Sequence, residues 1–337
     1  MNKKKIIPFE EHPYSIAYHS LAFTMGILQA NATEDITPYL CGRYINCYFF
    51  LKPEDNRFIT AINDVWMSEG NIIIYERVDL FPDVYKAVYG DCVDDFRKCI
   101  DRGGYVEGIY NEECIQGKKA FEKYYYEHEF FLIGYDDEAE HFISAGFLND
   151  SRFQVYAIPY DDMRKSIDTL KAPKICYNAM RYNIKAKFEL NIQKIIRELD
   201  DYVNSTTSLS IDRRDRSFGI QAILDMADHF IETTEKDNYI DFRYTRALME
   251  HKFFMNMRVD YLIKKGYVKD NNYLDAAQSV YKMSEQIHML ALKYTVMPKQ
   301  HIAGNIRKLI IEMQNIEIDY INGFLFDLKN TLGGAAQ

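Results

Sequence analysis

The chain is predicted to fold as an α+β domain followed by an all-helical domain, and three observations lead to this prediction. A largely apolar helix comes first, over residues 15–30, and short strands broken by turns follow it. Near residue 172 the pattern changes to long amphipathic helices with few breakers. We therefore place an α+β domain at residues 1–172 and a helical bundle at 173–332, with a linker around Pro173.

The first domain alternates between apolar segments and turn residues. The segment Tyr39–Leu51 fits either a helix or a strand, Asp83–Arg102 is predicted to be a single helix, and Tyr160–Thr169 is predicted to close the domain as a helix. Five segments are predicted to be strands: Asn71–Tyr75, Tyr105–Tyr110, Glu127–Tyr135, His141–Phe147 and Phe153–Ile158.

The second domain reads as a bundle of about five helices. Apolar residues recur every three or four positions over 184–203, which predicts one amphipathic helix. Four more helices are predicted at 218–235, 241–266, 272–296 and 299–330, with Gly266 and Pro298 at the breaks and a loose tail at 333–337.

Composition narrows the functional class. A net charge of −9 gives no basic footprint for nucleic acid, and no Gly-rich loop suggests a nucleotide or flavin. The six cysteines form no CxxC pair and show no metal-ligand spacing, so we expect no metal site and no disulfide framework.

The apolar runs are too short to span a membrane, and the N-terminus shows a basic start without the apolar core of a secretory signal. We therefore expect a cytoplasmic protein without a membrane partner. Its oligomeric state is left open by the sequence.

Two segments of the first domain could carry chemistry together. In a cysteine–histidine site, the thiol sits at the start of a buried helix, where the helix dipole and a nearby imidazolium lower its pKa. The imidazole comes from a strand later in the chain, and a third polar group orients it. The order here fits: a buried helix begins near Ser15, and a strand carrying His128 follows about 110 residues later.

Several segments resemble the C39-like, butirosin-H-type family of papain-fold acyltransferases found beside peptide-synthetase genes. Residues 128–165 resemble its histidine strand and hairpin, with the G-Y-D-D turn. Pro38–Tyr48 resembles the aromatic segment that follows its nucleophile helix. Three short segments resemble its helical partner domain: Ile240–Tyr244, Glu250–Lys252 and Met257-Arg258.

The resemblance implies a papain-like first domain that transfers an acyl group from a carrier-protein thioester, through a cysteine, to an amine. A similar papain-like enzyme in closthioamide assembly joins acyl chains to a diamine. The expected partners are thus an acyl or peptidyl carrier protein and a small amine or diamine. No cofactor is expected beyond the phosphopantetheine that delivers the acyl group. His128 would be the general base and acid.

The chain departs from the family where the nucleophile is expected. Ala17 occupies the position that best matches the cysteine. An engineered replacement and a natural pseudoenzyme both explain this, as does an ordinary helix residue. Ser15 as a replacement nucleophile is a further option. Glu11, Ser15 and Tyr18 are candidates for contacts to the oxyanion or substrate, with His12 as an alternative to Glu11.

The orienting acid is also displaced, because Gly146 stands where the family tends to have an aspartate. Asp150 is the candidate replacement, with Asn149 and Ser144 as alternatives, and a simple Cys–His dyad is also open. His19 is interpreted as a core histidine, and Glu250 and His251 as structural residues.

Two other functions compete with acyl transfer to an amine. The same geometry would hydrolyse peptides if water replaced the amine, which gives a C39-like cysteine peptidase. Without a thiol, the chain would be a non-catalytic scaffold.

Overall fold

The computed structural model describes residues 3–52, 57–60 and 72–334, without the side chains of 332–334. Its contacts divide the chain into two compact units. Unit 1 comprises Met1–Thr33 and Trp66–Lys187, and unit 2 comprises Glu34–Val65 and Phe188–Gln337. The described part of the chain holds no helix with the length and apolarity that a membrane crossing requires.

Unit 1 is an α+β unit, as predicted. Its helices are α1 (His19–Asn31), α3 (Pro82–Tyr89), α4 (Cys92–Asp101) and α5 (Tyr160–Asp168). Its strands are β1 (Lys4–Ile6), β4 (Ile73–Leu80), β5 (Tyr105–Asn111), β6 (Glu127–Asp136), β7 (His141–Phe147), β8 (Phe153–Pro159) and β9 (Ile175–Tyr182).

These strands form an antiparallel sheet in the order β4-β9-β5-β6-β7-β8, with β1 also paired to β6. The first half of β6 pairs with β5 and the second half with β1, so both halves of its edge are covered. The pairing of β6 with β5 sets His128 opposite Tyr110, and this register positions the site described below.

The sheet is covered on both faces by aromatic packing. On one face Phe23 of α1 stacks on Phe131 with ring centroids 4.4 Å apart. On the other face Phe96 of α4 packs against Phe130 at 5.6 Å. Helix α1 is buried without interruption from Leu21 to Leu28, because its residues are apolar on every side.

Some predicted boundaries of unit 1 were wrong. Helix α1 begins at His19 rather than at residue 15. The single helix predicted over Asp83–Arg102 is two helices, because Gly90 takes a positive φ of 79° between them. Residue 71 of the strand predicted at Asn71–Tyr75 lies outside the described residues, and the observed strand starts at Ile73.

The predicted domain boundary also differs from the observed one. The segment after Pro173 is a strand, β9, which pairs with β4 and β5 and so extends unit 1 past residue 172. Residues 34–65, which the sequence assigned to the first domain, group with the helical unit. The chain therefore passes between the units more than once.

Unit 2 contains α2 (Thr37–Leu40) and five longer helices: α6 (Ile192–Val203), α7 (Gly219–Asp237), α8 (Phe242–Lys264), α9 (Asn272–Val296) and α10 (Gln300–Gly334). A small sheet has the order β10-β2-β3, formed by Arg216–Phe218, Tyr48–Phe50 and Phe58–Ile59. The helix predicted over 184–203 begins only at Ile192, and Ile184 is 87% exposed. The predicted tail is helical to residue 334, and 335–337 lie outside the described residues.

A buried polar cluster holds the middle of unit 2. The ammonium of Lys252 donates to Glu317 Oε2 at 2.6 Å and to the Tyr202 hydroxyl at 2.7 Å, and that hydroxyl donates to the same carboxylate at 2.8 Å. The Lys252 and Glu317 side chains are both 0% exposed. We call Tyr202, Lys252 and Glu317 the unit 2 cluster.

Two side chains of α8, Arg258 and His251, hydrogen-bond to backbone carbonyls of the segment 41–45. Arg258 donates from Nε to the Cys41 carbonyl at 2.6 Å and from Nη2 to the Arg43 carbonyl at 2.5 Å. His251 Nε2 lies 2.9 Å from the Ile45 carbonyl, and burial keeps the pKa of this histidine well below its ordinary value. A neutral ring donates at that nitrogen, so His251 acts as a structural hydrogen-bond donor.

Candidate functional site

The start of α1 supplies the first side of the site. The Ala22 amide donates to the Tyr18 carbonyl at 3.0 Å, so Tyr18 caps the helix and His19 is its first residue. Ala17 directly precedes the cap and is 7% exposed. Residue 17 therefore lies immediately before the helix, where the dipole favours negative charge.

The second side of the site is the beginning of β6. His128 is the second residue of that strand, and its ring meets the His19 ring edge-on with centroids 4.6 Å apart. The ring of Tyr126 stacks on His128 from the other direction at 5.3 Å. Phe147 at the end of β7 closes against His19 at 5.0 Å. Three aromatic contacts thus hold the two imidazoles in place.

A buried carboxylate faces His128. Glu112 Oε1 lies 3.2 Å from His128 Nδ1, and the Glu112 side chain is only 8% exposed. Glu112 starts a 3₁₀ turn at the end of β5, in which Asn111 accepts from the Glu113 amide at 3.1 Å. The Glu112 amide donates to the Tyr126 carbonyl at 2.8 Å, which ties this turn to the residue two before His128.

A buried ammonium accompanies this carboxylate. Lys118 Nζ lies 3.7 Å from Glu112 Oε1 and donates to the Phe147 carbonyl at 2.6 Å. The Lys118 side chain is 3% exposed. Lys118 therefore compensates the charge of Glu112 and connects its turn to the end of β7.

Glu129 completes the cluster on its open side. Its Oε2 lies 3.4 Å from His128 Nε2 and 4.0 Å from His19 Nδ1, and its side chain is 47% exposed. The side chains of His19 and His128 are 18% and 25% exposed. We call His19, Glu112, His128 and Glu129 the unit 1 cluster.

Glu107 lies deeper on the same sheet. It is 4% exposed and accepts a hydrogen bond from Asn178 Nδ2 at 3.0 Å. Burial raises its pKa to about 7, the Asn178 hydrogen bond opposes the rise, and the charge of Glu129 adds to it. Glu107 therefore keeps its proton up to a pH nearer neutrality than an ordinary glutamate does.

The arrangement suits proton transfer at His128. One ring nitrogen, Nδ1, lies 3.2 Å from an oxygen of a buried carboxylate, although the two do not form a hydrogen bond. The other nitrogen, Nε2, lies 3.4 Å from the carboxylate of Glu129, whose side chain is half-exposed. A histidine held in this way is a competent general base.

The predicted site residues take different places. Ala17 and Tyr18 lie at the start of α1, which contacts His128 through His19. Ser15 is 1% exposed, whereas Glu11 is exposed in the segment before the helix. The structure thus brings the helix start and His128 together, while Glu11 faces solvent.

Among the described residues, the carboxylates beside His128 are Glu112 and Glu129 rather than the predicted Asp150. It lies in the turn between β7 and β8, where it accepts from the Arg152 amide at 3.0 Å and from Gln154 Nε2 at 3.2 Å. A short polar side chain in a turn satisfies its own local backbone. The alternative Ser144 donates to the Phe131 carbonyl at 2.9 Å, and Asn149 is exposed.

Sequence reasoning missed Glu112 and undervalued His19. The missed signal is the Asn-Glu-Glu turn at the end of the strand Tyr105–Tyr110. Since β5 pairs antiparallel with β6, the end of β5 lies beside the beginning of β6, where His128 is found. His19 was interpreted as a core residue, yet it is part of the cluster.

The structure also brings together three residues with metal-ligand atoms, a grouping that the sequence analysis did not predict. His19, His128 and Glu129 each offer one such atom, and these atoms lie within 4.8 Å of one another.

Comparison with known proteins was made for the whole chain. No protein-family model matches it, and no curated protein sequence matches it.

Proposed function

We propose that unit 1 has a papain-like fold and carries an acyl-transfer site in which His128 is the general base and acid. Residue 17 takes the position of the nucleophile, and Glu112 is the positioning carboxylate. The single observation that carries the proposal is the Glu112–His128 contact of 3.2 Å beside the first residue of α1.

The reaction is most simply written for the Ala17→Cys variant. The thiol gives its proton to His128, and the thiolate attacks the carbonyl of a carrier-protein thioester. The carrier thiol leaves with the proton from His128, and the acyl group stays on the enzyme. An amine then attacks this acyl-enzyme, His128 takes the amine proton, and the amide leaves as the thiolate is restored.

Two features of the site support the chemistry. Backbone N–H groups at the start of α1 are the donors for the oxyanion of each tetrahedral intermediate. Glu112 and Lys118 form a buried ion pair, so the charge of the carboxylate that lies beside His128 is compensated.

The chain as printed carries alanine at position 17 and so lacks this thiol. On the proposal it binds the acyl donor without forming an acyl-enzyme. This one residue is also the observation that favours the second candidate, a non-catalytic scaffold.

The test is acylation of the Ala17→Cys variant. An acyl-carrier thioester is added, and the protein mass is read intact before and after an amine such as a diamine is supplied. We expect a single acyl adduct that disappears with amide formation. Release of free acid that is insensitive to amine would instead assign a hydrolase.

The chain as printed is the matched control, because it contains the same six native cysteines. An adduct of equal yield in both proteins, or none in either, overturns the proposal. Adding His128→Ala to Ala17→Cys should abolish the adduct.

A further inference from the structure

The unit 1 cluster contains two imidazoles and one carboxylate that converge from two elements. His19 comes from the start of α1, and His128 and Glu129 come from β6. Within the described part of the chain, this is the group of His, Cys, Asp and Glu residues whose ligand atoms meet closely enough for a metal ion. From this geometry we propose that the three residues bind Zn²⁺ or a similar borderline divalent cation.

The distances fit a tetrahedral ion. Ligand atoms that lie about 2.0–2.2 Å from Zn²⁺ are about 3.4 Å apart from each other. His128 Nε2 and Glu129 Oε2 are 3.4 Å apart, and His19 Nδ1 and Glu129 Oε2 are 4.0 Å apart. All three ligand atoms lie within 4.8 Å of one another, so the side chains have to close around the ion to reach these separations.

Glu112, which is not a proposed ligand, lies beside the ring nitrogen of His128 that faces away from the proposed ion. A histidine that binds zinc through one ring nitrogen usually donates a hydrogen bond from the other ring nitrogen to a carboxylate or carbonyl, which fixes the tautomer. In His128 the Nδ1 atom lies 3.2 Å from Glu112 Oε1 without forming a hydrogen bond, so the ring has to turn toward that carboxylate for Glu112 to take this role, while Nε2 lies 3.4 Å from Glu129 Oε2.

Charge and access also fit the ion. Glu129 supplies one negative charge directly, and the charge of Glu112 is offset by Lys118 at 3.7 Å. The exposed carboxylate of Glu129 opens the site to solvent, which gives the ion a path of entry. Two nitrogen ligands select Zn²⁺, Co²⁺ or Ni²⁺ over Mg²⁺ and Ca²⁺.

Three protein ligands leave the fourth position of a tetrahedral ion to water or substrate. The inference rests on side chains present in the chain and does not depend on the identity of residue 17. Because the ion would occupy His128 Nε2, bound Zn²⁺ would also block the base of the proposed acyl transfer.

The experiment measures Zn²⁺ binding to the metal-stripped full chain by calorimetry, with Co²⁺ absorption as a second readout. We expect one Zn²⁺ per chain and a Co²⁺ visible spectrum typical of a low-coordinate nitrogen and oxygen site. Mg²⁺ should not compete. His19→Ala and Glu129→Gln should each weaken Zn²⁺ binding by more than about 10-fold.

Glu112 is not one of the proposed ligands but lies beside His128. Glu112→Gln should therefore weaken Zn²⁺ binding about 10- to 100-fold, because His128 is then less well oriented. His301→Ala and Glu140→Gln are matched controls at exposed positions and should bind as the parent does. Glu129→Gln is the decisive variant, because a half-exposed side chain can be changed without loss of the fold.

Binding that is equally tight in Glu129→Gln, His19→Ala and the controls overturns the inference, as does the absence of stoichiometric binding. The result is separable from the proposed function. A chain that binds no Zn²⁺ can still form an acyl-enzyme as Ala17→Cys, and a chain that binds Zn²⁺ can fail to do so.

Discussion

Each unit contains a cluster of ionisable side chains, and the two clusters differ in how deeply their members are buried. In the unit 2 cluster the Lys252 and Glu317 side chains are 0% exposed, and their contacts are 2.6–2.8 Å long. In the unit 1 cluster the contacts are 3.2–4.0 Å long, and Glu129 is 47% exposed.

This difference in burial distinguishes ionisable groups that stabilise the fold from ionisable groups that can bind a ligand or take part in a reaction. Lys252 and Glu317 pair with each other out of contact with solvent, although Glu317 Oε1 has no hydrogen-bond partner among the described residues. A cluster with one buried carboxylate and one open side keeps a ring nitrogen accessible. Burial of every member, rather than residue type, marks the structural case.

The largest effect is expected for the unit 2 cluster. Lys252→Met leaves Glu317 charged and buried, and should lower the free energy of unfolding by about 3–5 kcal/mol. Urea unfolding measures this. The double variant Lys252→Met with Glu317→Leu should recover most of the loss, because it removes both charges.

Lys329→Met is the control, since its pair with Asp200 is half-exposed and worth about 0–1 kcal/mol. If Lys252→Met lowers the free energy of unfolding by less than about 1 kcal/mol, the buried pair stabilises the fold no more than an exposed pair does. The contrast drawn between the two clusters would then be wrong.

The next effect concerns Glu107, the buried carboxyl of unit 1. The unfolded chain releases this proton near pH 4.5, whereas the folded chain holds it to about pH 7. The folded state therefore binds more protons in between, and the free energy of unfolding falls as pH rises from 4.5 to 7, by about 3 kcal/mol in all.

Glu107→Gln removes this dependence. Compared with the parent, it should be more stable at pH 8 and similar near pH 4.5, as measured by urea unfolding at both values. Glu140→Gln, on the surface, should leave the slope unchanged. An unaltered slope in Glu107→Gln would show that this carboxyl ionises normally.

A smaller effect is expected from Glu112, and it sharpens the distinction between the clusters. In the Ala17→Cys background, Glu112→Gln should slow acylation about 100-fold, because the imidazolium loses its partner. Single-turnover acylation rates measure this. Glu113→Gln is the matched control on the same turn and should be near the parent.

If Glu112→Gln leaves the acylation rate unchanged, Glu112 has no role in positioning His128. Asp150→Asn should then be compared, and we expect no measurable change, because Asp150 serves only its own turn. A large effect there would restore the prediction made from sequence.

Periodicity predicted the fold to a useful degree and the site only in part. The strand pattern of 127–158 and the long helices after 218 were correct because each element is patterned within itself. Strand β9 was missed because the motif around Pro173 resembles a linker, and its partners β4 and β5 are distant in sequence.

The site illustrates the same limit. His128 and the start of α1 were predicted because a cysteine–histidine site has a buried helix first and a histidine-bearing strand later in the chain. Glu112 was missed because only the β5–β6 register brings it to His128, and Asp150 was preferred because it follows the histidine hairpin in sequence. The Asn-Glu-Glu turn marks the end of β5 in the sequence, but only the tertiary register shows which residue it lies beside.

The central claim is that residue 17 faces the imidazole of His128, and the pKa of a thiol placed there tests it most directly. Thiolate absorbance is titrated in the Ala17→Cys variant against the chain as printed. The account predicts a pKa below the ordinary value of about 8.5, which returns upward when His128→Ala is added. A thiol pKa at or above that value, unchanged by His128→Ala, would contradict it.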